Sequence, residues 1–340
     1  MVDQNFITAH LKRKSALSIL LYPLSLFFHF FACFRRFLYE IFPTLPYRSK
    51  IKIISVGNIT SGGSGKTPFT LFLANKMIKK GYKIAIVLRG YKSALKSGTT
   101  LLNDSIVIGD EASIYATSLT NVPICVGKNR VKSIILLETK FPDLDFIIMD
   151  DAFQHIKVFQ DKKICVFNTL NPIGNGFCLP AGILREPFKN LKYADYFVLN
   201  GDKNDLPKGF FKKLESFDKP ILEGGSILSE IKDFSGTKYD IQTLQNKRIL
   251  LLSGIGLPKS FENTVTKAGL FFEKHLALTD HFEYTQSFFD QNKSIFSQYD
   301  YVLTTEKDYG KIKLLIHETN ILVVFIRFEL FCLPENHQLF

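Results

Sequence analysis

The chain has 340 residues, with 43 Lys and Arg against 32 Asp and Glu for a formal charge of +11. It is long enough for two domains that each bury a core, and its charge calls for an anionic partner: nucleic acid, a phospholipid surface or a phosphorylated substrate. The five cysteines (Cys33, Cys125, Cys165, Cys178 and Cys332) are odd in number and never spaced C-x-x-C, which argues against a disulfide frame or metal cluster and for a reducing cytosol.

Residues 15–34 carry no formal charge, a length that alone fits a transmembrane helix or signal anchor. Ser15, Ser18, Tyr22, Ser25, His29, Arg36 and Glu40, however, recur at three- to four-residue steps or twice that, so a helix over 15–40 carries one narrow polar stripe with Leu and Phe elsewhere. Basic residues flank both ends (Lys12 to Lys14; Arg35, Arg36, Arg48, Lys50, Lys52). A span normally shows asymmetric positive charge, whereas a helix lying among headgroups is favoured by cations on both sides. The pattern predicts an interfacial helix rather than a span or a buried core helix around His29.

The next stretch, IKIISVGNITSGGSGKT (51–67), joins an apolar strand to a glycine-rich loop that opens a helix with Phe69, Leu71, Phe72 and Leu73. A P-loop works this way: loop N–H groups and the helix N-terminus hold phosphates, Lys66 reaches the β/γ-phosphates and the Thr67 hydroxyl can coordinate Mg²⁺. The strict pattern asks for Gly where this chain has Thr60. The candidate ATP-binding residues are Thr60, Ser61, Gly62, Gly63, Ser64, Gly65, Lys66 and Thr67.

Strand-like runs follow at 83–88, 122–126, 145–149, 163–167 and 196–199, with helix-compatible stretches at 111–119 and 129–139. This alternation predicts a parallel sheet covered on both faces, with ligands bound beyond the carboxyl ends of its strands. After about Asn200, residues 223–234 and 241–247 read as connecting strands. Runs at 248–252, 271–278, 301–304 and 321–325 then make a smaller αβ set.

Asp145 to Asp151 (DFIIMDD) is an apolar strand ending in two acids, a Walker B arrangement in which Asp150 and Asp151 serve a cation beside Thr67. His155 could contact ligand or simply pack. Asp110 opens a helix-compatible segment, either as a cap or as the carboxylate that accepts the proton of an attacking hydroxyl. In the second domain, Asp280-His281 offers a carboxylate-oriented imidazole to assist it. In LPAGILREP (179–187), Arg185 suits a phosphate oxyanion, although on local sequence alone a turn with a surface Arg185–Glu186 pair is the simpler reading. Arg89, Tyr91, Arg130, Arg185 and Glu186 are the candidate substrate-binding residues.

SVGNITSGGSGKTP (55–68), RGY (89–91), GDE (109–111), DDAFQH (150–155), LPAGILREP, DH (280–281) and TTEKD (304–308) together resemble the tetraacyldisaccharide 4'-kinase family, in the family's order and over most of the chain. The family tolerates Thr at the first Walker position. Ala152 stands where it usually has Gly, and a left-handed backbone there would strain alanine. The resemblance implies transfer of the γ-phosphate of MgATP to the 4'-hydroxyl of an acylated glucosamine disaccharide 1-phosphate in lipid A biosynthesis, at the cytoplasmic face of the bacterial inner membrane. It also implies Lys66 and Thr67 on phosphate and Mg²⁺, Asp150 and Asp151 on the cation, and Asp110 with His281 as the base.

The fold class expected is α/β: a P-loop NTPase-like, mostly parallel sheet (46–220), a second, smaller α/β C-terminal domain (221–340) and an N-terminal membrane-interfacial helix within 1–45. The rival class is a membrane-associated P-loop ATPase acting as a switch. Its signature lysine belongs where Ser61 stands, which weighs against it. Aromatic residues sit in apolar runs rather than among exposed basic groups, which weighs against nucleic acid.

Overall fold

The computed structural model describes residues 14–89, 99–101, 110–280, 282–313, 315 and 320–332. The chain divides into two compact units, one running to Gly225 and including the chain from Leu330, the other Ser226–Glu329. The expected division at 220/221 thus lies at 225/226, and the chain re-enters the first unit after Glu329.

In the first unit, helix α1 (Ala16–Leu20) begins at a capping box between Ser15 and Ser18. Pro23, at the start of α2 (Tyr22–Ile41), interrupts the single helix expected over 15–40, because its ring removes a backbone donor and clashes with the preceding turn. The stripe is inverted relative to an ordinary surface helix. Ser18, Ser25, Ala32 and Arg36 are buried, while Leu24, Leu26, Phe27, Phe30, Phe31, Phe34, Phe37 and Ile41 are exposed. Among the described residues, no helix is long and apolar enough to cross a membrane.

The elements that follow are β1 (Lys52–Gly57), α3 (Lys66–Lys79), β2 (Ile84–Leu88), β3 (Thr99–Leu101), α4 (Asp110–Ser118), β4 (Ile124–Gly127), α5 (Arg130–Lys140), β5 (Phe146–Met149), β6 (Lys162–Asn168), β7 (Tyr196–Asn200) and the start of β8 (Ile221–Lys232). Their order across the sheet is β8-β7-β6-β1-β5-β2-β4-β3. All neighbouring pairs are parallel except the edge strand β3, which runs antiparallel to β4. The P-loop strand β1 is central, with Ile53 level with Ile147 of β5 and Val56 level with Ile164 of β6. On the face of the sheet that carries Ile53 and Gly57, one apolar cluster gathers Ile53, Val87, Ile134, Leu137 and Met149 and another, further along, Phe153, Phe167, Phe197, Phe210 and Leu214. The opposite face carries Ile54, Val56, Ile86, Ile148 and Ile164, which are buried as well, as a parallel sheet requires because neither of its faces can be left to water.

In the second unit β10 (Ile249–Ser253) lies between β11 (Lys274–Ala277) and β12 (Tyr301–Thr305), and β12 pairs with β13 (Ile321–Cys332), all parallel. β9 (Lys238–Tyr239) runs antiparallel to β8. The strand expected at 241–247 is instead the short helix Ile241–Leu244, started by the Asp240 side chain accepting from Gln242 N. This local cap outweighs a weak strand pattern.

Phe167 is almost fully buried and meets Phe197 and Phe210 edge-on, with ring centroids 6.0 and 5.6 Å away. Phe167→Ala is expected to destabilise the protein by about 3–5 kcal/mol, read as a lower urea midpoint with an unchanged slope.

Candidate active site

The site forms where β1 and β5 end side by side. β1 runs into the glycine-rich loop, and the loop's path is set by close approach. A Cβ on Gly57 would stand 2.5 Å from the Phe153 backbone nitrogen, and one on Gly65 would stand 1.9 Å from Asn200 Nδ2. Gly65 also has φ of 84°, which glycine adopts without steric penalty. Asn200, at the end of β7, donates to the Ser64 carbonyl at 3.2 Å and so holds the loop from the next strands. The Ser64 hydroxyl is buried and has no hydrogen-bond partner among the described residues.

The LPAGILREP segment lies along the first half of this loop. Ser61 N donates to Ile183 O at 2.8 Å, Arg185 N donates to Ile59 O at 2.7 Å, and Thr60 forms an isolated bridge with Leu184. This pairing carries Arg185 to the acids. Its Nη1 lies 3.0 Å from both carboxylate oxygens of Asp151, and Lys66 Nζ lies 3.5 Å from Asp151 Oδ1. The surface Arg185–Glu186 pair that local sequence favoured is not formed in this way. Glu186 is fully buried and accepts from Arg36 Nε at 2.8 Å. The substrate role expected of Glu186 is therefore corrected to a structural one: its carboxylate has no surface for a ligand and is engaged by the N-terminal helix.

Asp150 is buried at the end of β5, where Oδ2 accepts from the Tyr115 hydroxyl at 2.7 Å and from Thr67 Oγ1 at 3.3 Å. Burial pushes its carboxyl above the usual range and Asp151 adds to this, against the pull of Lys66 and the Tyr115 hydroxyl. For Asp151, burial acts in the same upward direction, but Lys66, Arg185 and Arg130 outweigh it and hold the carboxyl well below the usual range. Arg130, the first residue of α5, ties down the turn between them by donating to Asp150 O at 2.7 Å and Asp151 O at 3.0 Å. Asp151 itself has φ of 47°. The left-handed position in this turn is thus Asp151 and not Ala152, so the strain expected of alanine in place of glycine does not arise at 152.

Thr67 reaches Asp150 at 3.3 Å, while the carboxylate of Asp151, next in the chain, is engaged by Arg185 and Lys66. A buried carboxylate raised by its surroundings, next to a hydroxyl and a second carboxylate, has the donor chemistry that a Mg²⁺ ion takes. Tyr115 was missed. Its signal was a phenol on the buried stripe of Ala112, Tyr115 and Leu119, where a hydroxyl needs an acceptor. Asp110 begins α4, but its side chain lies outside what is described, as do Tyr91 and His281. Asp280 Oδ1 pairs with Lys307 Nζ at 2.9 Å.

A cavity of about 1090 Å³ opens beside Asp151. Phe28, Phe31, Arg35 and Tyr39 of α2 form one wall, and Arg89, Lys128, Arg130, Gln154, His155, Lys157 and Arg185 line the remainder. Arg89, Arg130 and Arg185 are thereby brought together. Burial, followed by the charges of Arg130, Lys157, Arg89 and Arg35, pulls the His155 imidazole down to about 4, so it is neutral at pH 7. In the unfolded chain it takes its proton near 6.5, and the fold resists that proton until about 4. Stability is therefore expected to fall as pH drops through this window. His155→Asn should flatten that part of a plot of melting temperature against pH.

A family model described as tetraacyldisaccharide-1-P 4'-kinase matches residues 17–339. A tetraacyldisaccharide 4'-kinase of Halothermothrix orenii is 31% identical, aligned over 87% of this chain and 85% of that protein. One from Francisella tularensis subsp. novicida is 33% identical, over 88% and 92%. The crystal structure of LpxK from Aquifex aeolicus in complex with ATP superposes with a TM-score of 0.71 at 26% identity, covering 92% of this chain and 95% of that one.

Proposed function

Because the chain belongs to the tetraacyldisaccharide-1-P 4'-kinase family, we propose that it transfers the γ-phosphate of ATP to the 4'-hydroxyl of an acylated glucosamine disaccharide 1-phosphate in lipid A biosynthesis. The observation that carries this reading is the composition of the cavity: Phe28 and Phe31 of α2 share its lining with a group of cations and with Asp151. An acylated sugar phosphate has the same polarity, with hydrocarbon at one end and an anion at the other.

The chain's own groups divide the work. The glycine-rich loop presents backbone N–H groups to the phosphates, and the Ser64 hydroxyl is available as a further donor. Asp151 holds the heads of Lys66 and Arg185 close to one carboxylate, so both cations stand ready where charge develops and little reorganisation is needed during transfer. Mg²⁺, held by Thr67, Asp150 and Asp151, would supply neutralisation of phosphate oxygen charge. Arg89 and Arg130 face the acceptor side of the cavity. Asp110 as the base and His281 as its helper rest on their motif positions. The outward phenylalanine face of α2 supports a peripheral or monotopic seat on the cytoplasmic face of the inner membrane, where such a lipid acceptor resides.

The test is to incubate the protein with γ-labelled ATP and a 1-phosphorylated acyl disaccharide and look for labelled lipid; its absence under conditions where ATP binds would overturn the reading. Lys66→Ala is expected to lower turnover by about two orders of magnitude or more. Asp110→Ala should lower kcat severely while leaving the nucleotide Kd almost unchanged. The reverse pattern, weakened ATP binding with kcat kept, would make Asp110 a helix cap and place the base elsewhere.

A further inference from the structure

The polar stripe of α2 is occupied in a specific way. Ser25 Oγ donates to Cys178 O at 2.7 Å and accepts from Ala181 N at 3.0 Å, which docks the helix on the segment that ends in Arg185. Three turns further on, Arg36 is buried. Its Nε donates to Glu186 Oε2 and its Nη2 to Phe153 O, both at 2.8 Å. Its guanidinium carbon lies 4.7 Å from the Phe153 ring centroid and 4.8 Å from that of Tyr193.

Glu186 adjoins Arg185, and Phe153 follows Asp151 by two residues. One side chain of the N-terminal helix therefore grips both segments that carry the charged centre. The same helix supplies Phe28, Phe31 and Arg35 to one wall of the cavity, while the gripped segments supply Asp151, Gln154 and Arg185.

We propose that Arg36 is a positioning residue for the acceptor: it fixes the phenylalanine-lined wall of the cavity at a set distance from Asp151 and Arg185, so that an acyl chain on α2 and a hydroxyl at the charged centre are placed at once. The proposal rests on the kinase reading above. Guanidinium is needed because a planar fork stacked between two rings can serve a carboxylate and a carbonyl together, which an ammonium cannot. Arg36 itself contacts Glu186, Phe153 and Tyr193, while the segment it holds pairs with the loop through Ile183 O and Arg185 N, so losing the grip acts directly on the acceptor wall and on the nucleotide only through that segment.

Three variants test it: Arg36→Lys, Arg36→Gln, and the pair Arg36→Met with Glu186→Met, in which no buried charge is left alone and the packing volume is kept. Each is measured for ATP affinity by calorimetry, for KM and kcat toward the acyl disaccharide, and for hydrogen–deuterium exchange over 150–156 and 177–186. Acceptor KM is expected to rise about tenfold or more with a smaller change in kcat, ATP Kd to change by clearly less than acceptor KM, and exchange to increase in both segments. Arg36→Lys should not restore acceptor KM.

An unchanged acceptor KM in the paired variant, with only its melting temperature altered, would make Arg36 purely structural and overturn the proposal. If the parent protein itself fails to label the disaccharide, the kinase reading falls on its own. The exchange measurement then decides the grip: unaltered exchange in both segments would end it.

Discussion

Two adjacent carboxylates at the end of a buried strand cannot stay charged unless cations and hydrogen-bond donors are brought to them, since burial alone drives both toward the protonated form. Partners from widely separated parts of the first unit act on them: Lys66 from the P-loop helix, Arg130 from α5 and Arg185 from the segment laid along the loop hold Asp151 ionised, while Thr67 of the P-loop helix and Tyr115 of α4 donate to Asp150, whose carboxyl burial still keeps above the usual range. The order β6-β1-β5-β2-β4 brings the ends of those elements to one edge of the sheet. The chemistry of the site and the topology of the sheet thus impose the same requirement.

The two acids are treated differently by their surroundings, and this divides their roles. Asp151 lines the cavity and collects two cationic heads, which keeps it ionised and keeps those heads where phosphate charge would gather. Asp150 is enclosed, with one oxygen engaged by two hydroxyls, and its raised carboxyl makes a divalent cation the natural partner. The left-handed turn at Asp151 is what separates their directions. Its conformational cost, about 1–3 kcal/mol for a residue with a side chain, is offset by the two Arg130 bonds to the turn carbonyls.

The N-terminal helix follows an inverted rule. Its serines and Arg36 face the protein and its phenylalanines face outward, the opposite of what a water-exposed helix does. An apolar face of this size left uncovered among the described residues marks an interaction surface, and through Phe28 and Phe31 it is continuous with the cavity wall beside the charged centre.

Local sequence was sufficient for much of this protein. The alternation of apolar runs and helical stretches located the parallel strands of both units to within a few residues, though not the short antiparallel β3 and β9, and the P-loop and the paired acids were legible because each motif is contiguous and its chemistry depends on neighbours along the chain. The polar stripe of α2 was legible too, but not the direction it faces, since periodicity fixes the spacing of a face and not its surroundings. Glu186 read as a surface partner of Arg185 until the fold brought Arg36 to it from 150 residues away. Tyr115 carried no role in the sequence, and only the packing of α4 brings its hydroxyl to Asp150. The left-handed residue fell at Asp151 rather than at Ala152 because close approach of Gly57 to Phe153 and the grip of Arg130 shape that turn. In each of these cases the deciding partner lies far off in sequence, and only packing of the parallel sheet and its covering segments selects which distant groups share a buried space.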